Sequence, residues 1–510
     1  MNEKRYIRTQ TLLAGISLAV AFLLPNTLYA VLLGWLSALL FAHIIRATKG
    51  MFRYPYLACV TAHIFAFYWL AGTIKIFGHF PSWASLLIYI LFCFTNSLYF
   101  LVVPFFYRNM PSWFQKNELA LPIAVTVAEF LAIRIFPWHF GHTQIAFLPF
   151  VQIADIAGVP IVTFIMFWCA SALETSIKNR SLNKAFFAPA LATLLVIIYG
   201  FWRMNQFEAI SGESQKIVLV QGNIPIEEKH SSQSFRANIE TYLSLGDAYV
   251  ETNPLIIWPE TVIMNALPAD RLTGLKIPLL PTGPKWLIGS ITGDSEGNYY
   301  NSAIAVGEDA KATDVYHKLI LMPFGEYMPF AKKYPWLLDV AHMEGELSPG
   351  KDVKVLNYAA SENSPELKVA PLICYEDIVS DLARRATQNG ANLLVNITND
   401  AWFGDSVAPY QHNLLASFRA IENRRFLIRA TNTGLSAVIA PTGKTVSQLK
   451  TYSQGVLSTE AVPLSMLSPY TEFFGDLPIW LLTILAIGST IFTMLGKEKN
   501  AGTSKRRTVI

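Results

Sequence analysis

The chain has 510 residues, of which 52% are hydrophobic and only 15% charged, and its net charge is +4. Soluble domains carry about 25% charged residues, so these proportions exclude a wholly water-soluble protein and place much of the chain in lipid. The basic residues cluster beside apolar segments, which is a membrane-topology signal and not a nucleic-acid footprint.

Apolar segments fill the first 200 residues. A bilayer core needs about 20 apolar residues per helix, and the pattern predicts helices over 10–24, 27–45, 56–74, 83–106, 119–136, 155–177 and 186–203. Pro25-Asn26 reads as a tight hairpin between the first two. A signal peptide is the alternative for the first segment, since Lys4, Arg5 and Arg8 precede it and Leu28-Tyr29-Ala30 resembles a cleavage site; the apolar run continues past that point to Ile45. Glu129 and Arg134 fall inside the fifth segment, where ionisable groups are costly and usually face a cavity. From about 215 to 465 the composition turns polar and no stretch could span a bilayer. An eighth membrane helix follows over 476–496, then a basic tail over 497–510.

Charge fixes an orientation. With Lys4, Arg5 and Arg8 in the cytoplasm, the loops returning to that side carry Arg46, Lys49 and Arg53, then Arg108 and Lys116, then Lys178, Arg180 and Lys184. Eight crossings satisfy the positive-inside rule at each return. The segment 215–465, between helices seven and eight, then faces outward, which in a bacterial inner membrane is the periplasm.

That outward segment alternates strands and helices. Strands are expected over 216–221, 255–258, 286–291, 300–306, 393–397, 426–431 and 435–440, with helices over 232–250 and 411–423. This order predicts an α/β layered domain with its active groups at strand ends.

Val369 to Ile373 reads as a buried strand that delivers Cys374 at its end. Cys59, Cys93 and Cys169 fall in membrane segments, so Cys374 is the one cysteine of the outward segment, and disulfides do not build this domain. A solitary thiol at a strand end is a candidate nucleophile. It needs a base and a cation, because only thiolate is strongly nucleophilic. Glu260 and Lys318 are the candidates. No metal or nucleotide signal accompanies them, and His139 and His142 lack further ligands in a recognisable spacing, so no cofactor is expected.

Three motifs carry a resemblance. Trp258-Pro259-Glu260, His317-Lys318 followed by Pro323-Phe324-Gly325-Glu326, and Ile373-Cys374-Tyr375-Glu376 resemble, in order, the Glu-Lys-Cys triad of the nitrilase superfamily. Seven helices before the domain and one after make the whole chain resemble that superfamily's membrane-embedded apolipoprotein N-acyltransferase family. Gln221-Gly222-Asn223-Ile224-Pro225, Tyr300-Asn301-Ser302, Asn399-Asp400-Ala401-Trp402-Phe403-Gly404, Arg429-Ala430-Thr431-Asn432-Thr433-Gly434 and Phe136-Pro137-Trp138 with Gly141 add to the likeness.

The resemblance implies an α-β-β-α sandwich and an acyltransferase. Its acyl donor would be a membrane phospholipid, phosphatidylethanolamine above all. Its acceptor would be the α-amine of an apolipoprotein's diacylglyceryl N-terminal cysteine, with a Cys374 thioester between the two half-reactions. Glu260 would be the general base, in a partly buried setting that raises its pKa, and Lys318 the cation at the oxyanion. Glu326, Tyr375, Glu376 and Asn301 would orient Lys318 or the substrates. At the position after Lys229 the family commonly has tryptophan, where this chain has His230, which puts an aromatic contact with lipid there in doubt. The segment from Met322 to Trp336 is rich in aromatics and methionine, as an arm lying on a membrane surface would be. A membrane-anchored amidase or nitrilase-type hydrolase would use the same triad with water as acceptor, and a transporter or receptor would not need Cys374 at all.

Overall fold

A computed structural model describes residues 3–507 except 183, 209–211, 230–233, 253, 341–345 and 361–364. The chain divides into two compact units. One comprises residues 1–68, 89–204 and 473–510, and the other residues 69–88 and 205–472.

The first unit is helical. Among the described residues, six helices are long and apolar enough to cross a membrane: Lys4–Leu23, Leu28–Ala47, Ser82–Asn109, Ala154–Asn179, Lys184–Phe207 and Leu477–Lys497. The pair Arg53–Ala66 and Leu70–Ile76 passes the same test together, with a 58° bend between its halves. The eight expected spans are therefore six, or seven with the bent pair. The difference lies in the expected helix over 119–136, which ends at Leu131 after 12 residues. Arg134 stops it by donating from its guanidinium to the carbonyls of Glu129 (2.7 Å) and Trp138. Glu129 itself accepts from the Phe140 amide (3.0 Å) and pairs with His139 Nδ1 (2.9 Å), so this buried carboxylate organises the non-helical turn that follows. The hairpin at Pro25-Asn26 forms as expected: Asn26 takes a positive φ of 58° and Thr27 caps the next helix at the Ala30 amide.

The second unit contains two sheets. Its strands are β1 Gln215–Gln221, β2 Leu255–Ile257, β3 Ile263–Pro268, β4 Lys285–Gly293, β5 Tyr299–Val306, β6 Ala312–His317, β7 Leu356–Tyr358, β8 Leu367–Ile373, β9 Leu393–Thr398, β10 Leu427–Thr431, β11 Ala437–Ile439, β12 Thr445–Gln448 and β13 Gly455–Ala461. The first sheet has the order β13-β1-β2-β4-β5-β6, with β3 beside β4; the second runs β12-β11-β10-β9-β8-β7. The centres of both sheets are parallel, β1-β2-β4 in one and β8-β9-β10 in the other.

Parallel strands are buried on both faces, and the alternation of side chains sorts each strand into two cores. Ile217, Leu219, Leu255 and Ile257 of the first sheet meet Val369, Ile373, Val395 and Ile428 of the second. Their neighbours Val218, Val220, Ile256 and Trp258 turn the other way, against Ile239 and Tyr242 of the helix Phe235–Gly246. Ala370, Leu372 and Leu394 do likewise, against Leu382, Ala386, Ala416 and Ala420 of the helices Ser380–Gln388 and Ala408–Asn423. The layering is helix, sheet, sheet, helix, as expected. Strands β3, β6, β7, β12 and β13 were not anticipated; most are short or half-exposed and lack an apolar run.

Candidate active site

The parallel centre of each sheet brings the carboxyl ends of its strands to one edge. Glu260 follows β2, Cys374 follows β8, Asn399 follows β9 and Asn432 follows β10. β5 is antiparallel to β4, and β6 to β5. β6 therefore runs in the direction of β4, and Lys318 emerges at the same edge. Asn301, near the start of β5, sits there too.

Glu260 is 7% exposed. Its Oε1 accepts from Asn301 Nδ2 at 2.7 Å and its Oε2 from the Asn399 amide at 2.9 Å. Lys318 is buried, with Nζ 2.7 Å from Glu326 Oε2 and 3.6 Å from Glu260 Oε1. The direct ion pair thus goes to Glu326, and Glu260 is held mainly by neutral donors. Asn301 Nδ2 also donates to Glu326 Oε1 (3.0 Å), so a single amide aligns both carboxylates. The Met322 amide fixes Glu326 from the other side (2.8 Å). Burial works to lower the Lys318 pKa, but Glu326, Cys374 and Glu260 outweigh it and the pKa is raised. Lys318 is a permanent cation.

Cys374 is half-buried and opens a tight turn, Cys374–Ile378, with φ +51°. A positive φ is uncommon for a side chain of this kind. Asn396 holds the turn by donating from Nδ2 to the carbonyls of Leu372 (2.9 Å) and Cys374 (3.1 Å). Burial pushes the thiol pKa well up, and Glu260 adds to this, against Lys318 and a hydrogen bond with Thr398. The resting sulfur is therefore a thiol. Thr261, directly after Glu260, also has a positive φ of 48°. A β-branched residue there is strained, so both loops that present the reacting groups hold unusual backbone. Gly289 of β4 leaves room for the first of them: a Cβ there would lie 2.2 Å from the Pro259 carbonyl oxygen.

Glu376 is fully buried and joins the two loops. Its Oε1 accepts from the Tyr316 hydroxyl (2.8 Å) and the amides of Leu319 (2.7 Å) and Ile320 (3.0 Å), while Oε2 accepts from the Ile373 amide (2.8 Å). It thereby ties the strand before Cys374 to the segment after Lys318. Tyr375 is half-buried, and burial pushes its hydroxyl pKa up to about 12. His230 lies outside the described residues. Phe324, Phe330, Tyr334 and Trp336 of the aromatic segment are exposed.

Several contributors carried no role in the sequence reading. Lys229 is buried and donates to the Glu260 carbonyl at 2.7 Å; burial lowers its pKa to about 8, against Glu260 and Cys374. Asn432 accepts at Oδ1 from the Ile224 amide (2.9 Å) and the Tyr242 hydroxyl (3.0 Å), and donates to Ile224 O and Asn399 Oδ1. It bridges the two sheets at the edge that carries the site. Behind the cysteine turn, His412 sits between Asp377 (2.8 Å) and Asp400 (3.1 Å), and Arg429 pairs with the other oxygen of Asp377. Burial works against a charged His412 ring, but Asp377, with Asp400, outweighs it and the opposing Arg429, so the pKa rises to about 9. Gly434 passes so close that a Cβ would lie 2.0 Å from Asp400 Oδ2. Asn399-Asp400 and Arg429 to Gly434 stood out as motifs; His412 had no signal, being one polar residue on a helix.

A carboxylate, a lysine and a cysteine at the edge of a four-layered sandwich define the class, and residues 219–471 match the carbon-nitrogen hydrolase family model. Residues 14–172 match the model of the apolipoprotein N-acyltransferase N-terminal domain. The apolipoprotein N-acyltransferase of Haemophilus ducreyi is 30% identical over 449 residues, covering 85% of either chain. That of Geobacter metallireducens is 29% identical over 491 residues, covering 92% of this chain and 91% of its own. Saccharomyces cerevisiae Nit3, a solved member of the nitrilase superfamily, is similar over 49% of this chain and 91% of its own, at 19% identity and a TM-score of 0.37, so the assignment rests on the sequence matches instead. The chain belongs to the apolipoprotein N-acyltransferase family.

Proposed function

We propose that the protein transfers an acyl chain from a membrane phospholipid, phosphatidylethanolamine above all, to the α-amine of the diacylglyceryl N-terminal cysteine of apolipoproteins. It does so in two half-reactions through a Cys374 thioester. The observation that carries this reading is Lys318 flanked by Glu260 and Glu326 beside the Cys374 thiol, in a chain that also carries membrane-length helices. A hydrolase of water-soluble amides has no need of such helices. The bilayer is the bacterial inner membrane, and the catalytic unit lies on its outer, periplasmic side; this requires the segment 120–153 to cross although its helix ends at Leu131, and the meeting of Arg46, Arg108, Lys178 and Lys497 at one pocket supports that crossing.

Because the resting thiol is protonated, attack needs a base at the moment of reaction. Glu260 takes the Cys374 proton as sulfur adds to the ester carbonyl. Lys318 and the Tyr375 amide receive the oxyanion. Collapse breaks the carbon–oxygen ester bond, and the leaving lysophospholipid oxygen takes the proton back from Glu260. In the second half-reaction the acceptor amine attacks the thioester and loses a proton to Glu260. Collapse then releases the amide, and the proton returns to the Cys374 sulfur. Glu326 neutralises Lys318 directly, which leaves Glu260 free to act as base. Asn301 and Glu376 position these groups.

The test is mass spectrometry of the purified protein after incubation with phosphatidylethanolamine. A hydroxylamine-sensitive acyl adduct is expected on the peptide containing Cys374, discharged by a diacylated lipopeptide amine and absent in Cys374→Ala. An adduct discharged by water alone would make the protein a lipid hydrolase. Cys374 remaining free under turnover would remove the nucleophile from the proposal.

A further inference from the structure

An open hollow lies in the helical unit. It has a volume of about 640 Å³ and is lined by Arg46, Lys49, Arg108, Lys178 and Lys497, with Tyr107 among them. Its remaining lining residues include Ser112, Gln115 and Thr493, and no carboxylate is among the described residues that line it. The cations come from four separate helical stretches or their ends: Arg46 and Lys49 from the end of Leu28–Ala47, Arg108 from Val102–Asn109, Lys178 from Ala154–Asn179 and Lys497 from Leu477–Arg507.

Arg46 is already satisfied. It pairs with Glu118 and, at 2.7 Å, with Glu174, and both carboxylates are buried behind the cavity. Lys49, Arg108, Lys178 and Lys497 are exposed and stand in no ion pair among the described residues. The formal charge of the region is thus +4 from these four and −1 from Arg46 with its two carboxylates, a net +3 on one concave surface. Three of the basic residues sit in last helical turns, where the helix dipole favours a cation. That accounts for their sign. The positive-inside rule accounts for their gathering at one end of the bundle. Neither accounts for a hollow that adds hydroxyl groups to these charges, which hydrated or snorkelling lysines do not need. Basic pockets between membrane helices recognise lipid phosphates by this chemistry, charge supplemented by neutral donors.

We propose that this cavity binds a phosphate-bearing anion, supplied by the headgroup of an anionic phospholipid from the leaflet that meets this end of the bundle. It contains none of the residues assigned to the acyl transfer, so the proposal stands or falls independently of that reading.

The test compares two full-length variants that each lose four positive charges. One is Lys49→Gln, Arg108→Gln, Lys178→Gln and Lys497→Gln. The other is Lys499→Gln, Lys505→Gln, Arg506→Gln and Arg507→Gln, which changes the basic tail and none of the described lining residues. Both carry Cys374→Ala to prevent turnover. Each protein is equilibrated in mixed micelles of phosphatidylglycerol and phosphatidylcholine, and retained lipid is counted by native mass spectrometry. Preferential retention of at least one phosphatidylglycerol is expected in the parent and the tail variant, and a drop of tenfold or more in its occupancy in the cavity variant. Equal loss in both variants would mean that diffuse charge, and not the cavity, attracts the lipid, and would overturn the proposal. So would a parent that retains no phosphatidylglycerol preferentially. In a separate arm, inorganic phosphate is added without lipid; a rise in melting temperature from phosphate that matches that from phosphatidylglycerol would assign the site to a soluble anion and overturn the lipid source. Intact helical content by circular dichroism shows that the cavity variant has folded.

Discussion

The helical unit and the candidate site both bury charge, and they treat it differently. In the helical unit each buried carboxylate rests directly on a cation or an imidazole: Asp155 on Arg203 at 2.7 Å, Glu174 and Glu118 on Arg46, Glu129 on His139 at 2.9 Å. In the catalytic unit Glu260 is held by two neutral amides, with its lysine at 3.6 Å and committed to Glu326 at 2.7 Å. A carboxylate locked to a cation is a weak base, because the ion pair favours its charged form. The helical unit uses charge to fasten helices, and the site keeps the nearest cation at 3.6 Å from Glu260, the carboxylate proposed as the base.

Substitutions can break this contrast. The largest effect is expected from Glu260→Gln, which keeps the hydrogen-bonding shape and removes the base. Acyl-enzyme formation should fall ~10³-fold, within the range for loss of a general base, with the melting temperature little changed; single-turnover adduct formation by mass spectrometry checks it. A loss below tenfold would return the proton transfer to another group.

Asp155→Ala should do the opposite. It strips Arg203 of its carboxylate and Tyr199 of its acceptor. Removing one partner of a buried pair costs about 3–5 kcal/mol. The melting temperature in detergent should drop, while adduct formation per folded molecule at low temperature stays at the parent rate. A rate that fell with the stability would show that the two units do not divide their tasks in this way.

Glu326→Gln sharpens the comparison. With Glu326 neutral, Lys318 has Glu260 as its remaining carboxylate partner, and the site comes to resemble the helical unit. The base should weaken and adduct formation fall ~10- to 100-fold, because a lysine no longer shared with Glu326 favours the charged form of its remaining carboxylate. Single-turnover adduct formation checks it, and an unchanged rate would make Glu326 a mere packing residue.

The smallest effect concerns the pair network behind the cysteine turn. The folded pKa of His412, about 9, lies above its ordinary value of 6.5. Its protonated form is therefore bound more tightly in the folded state, and the stability it contributes is complete below about pH 6.5 and is lost as pH rises through about 9. The size is ~3 kcal/mol. The melting temperature should decline between pH 6.5 and 9, and His412→Gln should flatten that decline. An unchanged decline in the variant would mean that the ring does not carry this charge.

Much of this was legible in the residues. Composition alone placed the helices in lipid, because spans of about 20 apolar residues have no other common use. The motifs around Glu260, Lys318 and Cys374 could be read because catalysis demands particular residue types at strand ends. Helix 120–131 was read too long, because hydropathy does not register an arginine folding back to cap its own helix. The strands β3, β6, β7, β12 and β13 passed unnoticed, because edge and half-exposed strands owe their form to their neighbours.

The sequence by itself determined the class of each region, the candidates for the reacting groups and the order in which they occur, since these follow from side-chain chemistry and apolar length. Tertiary structure alone decided which carboxylate Lys318 pairs with, that a single Asn301 amide aligns both acids, that Lys229 and Asn399 support Glu260, and that His412 lies between two aspartates. The physical reason is range. Hydropathy and turn chemistry act between neighbours in the chain, whereas a hydrogen bond between residues 139 positions apart, such as that from Asn399 to Glu260, exists only once two sheets have packed.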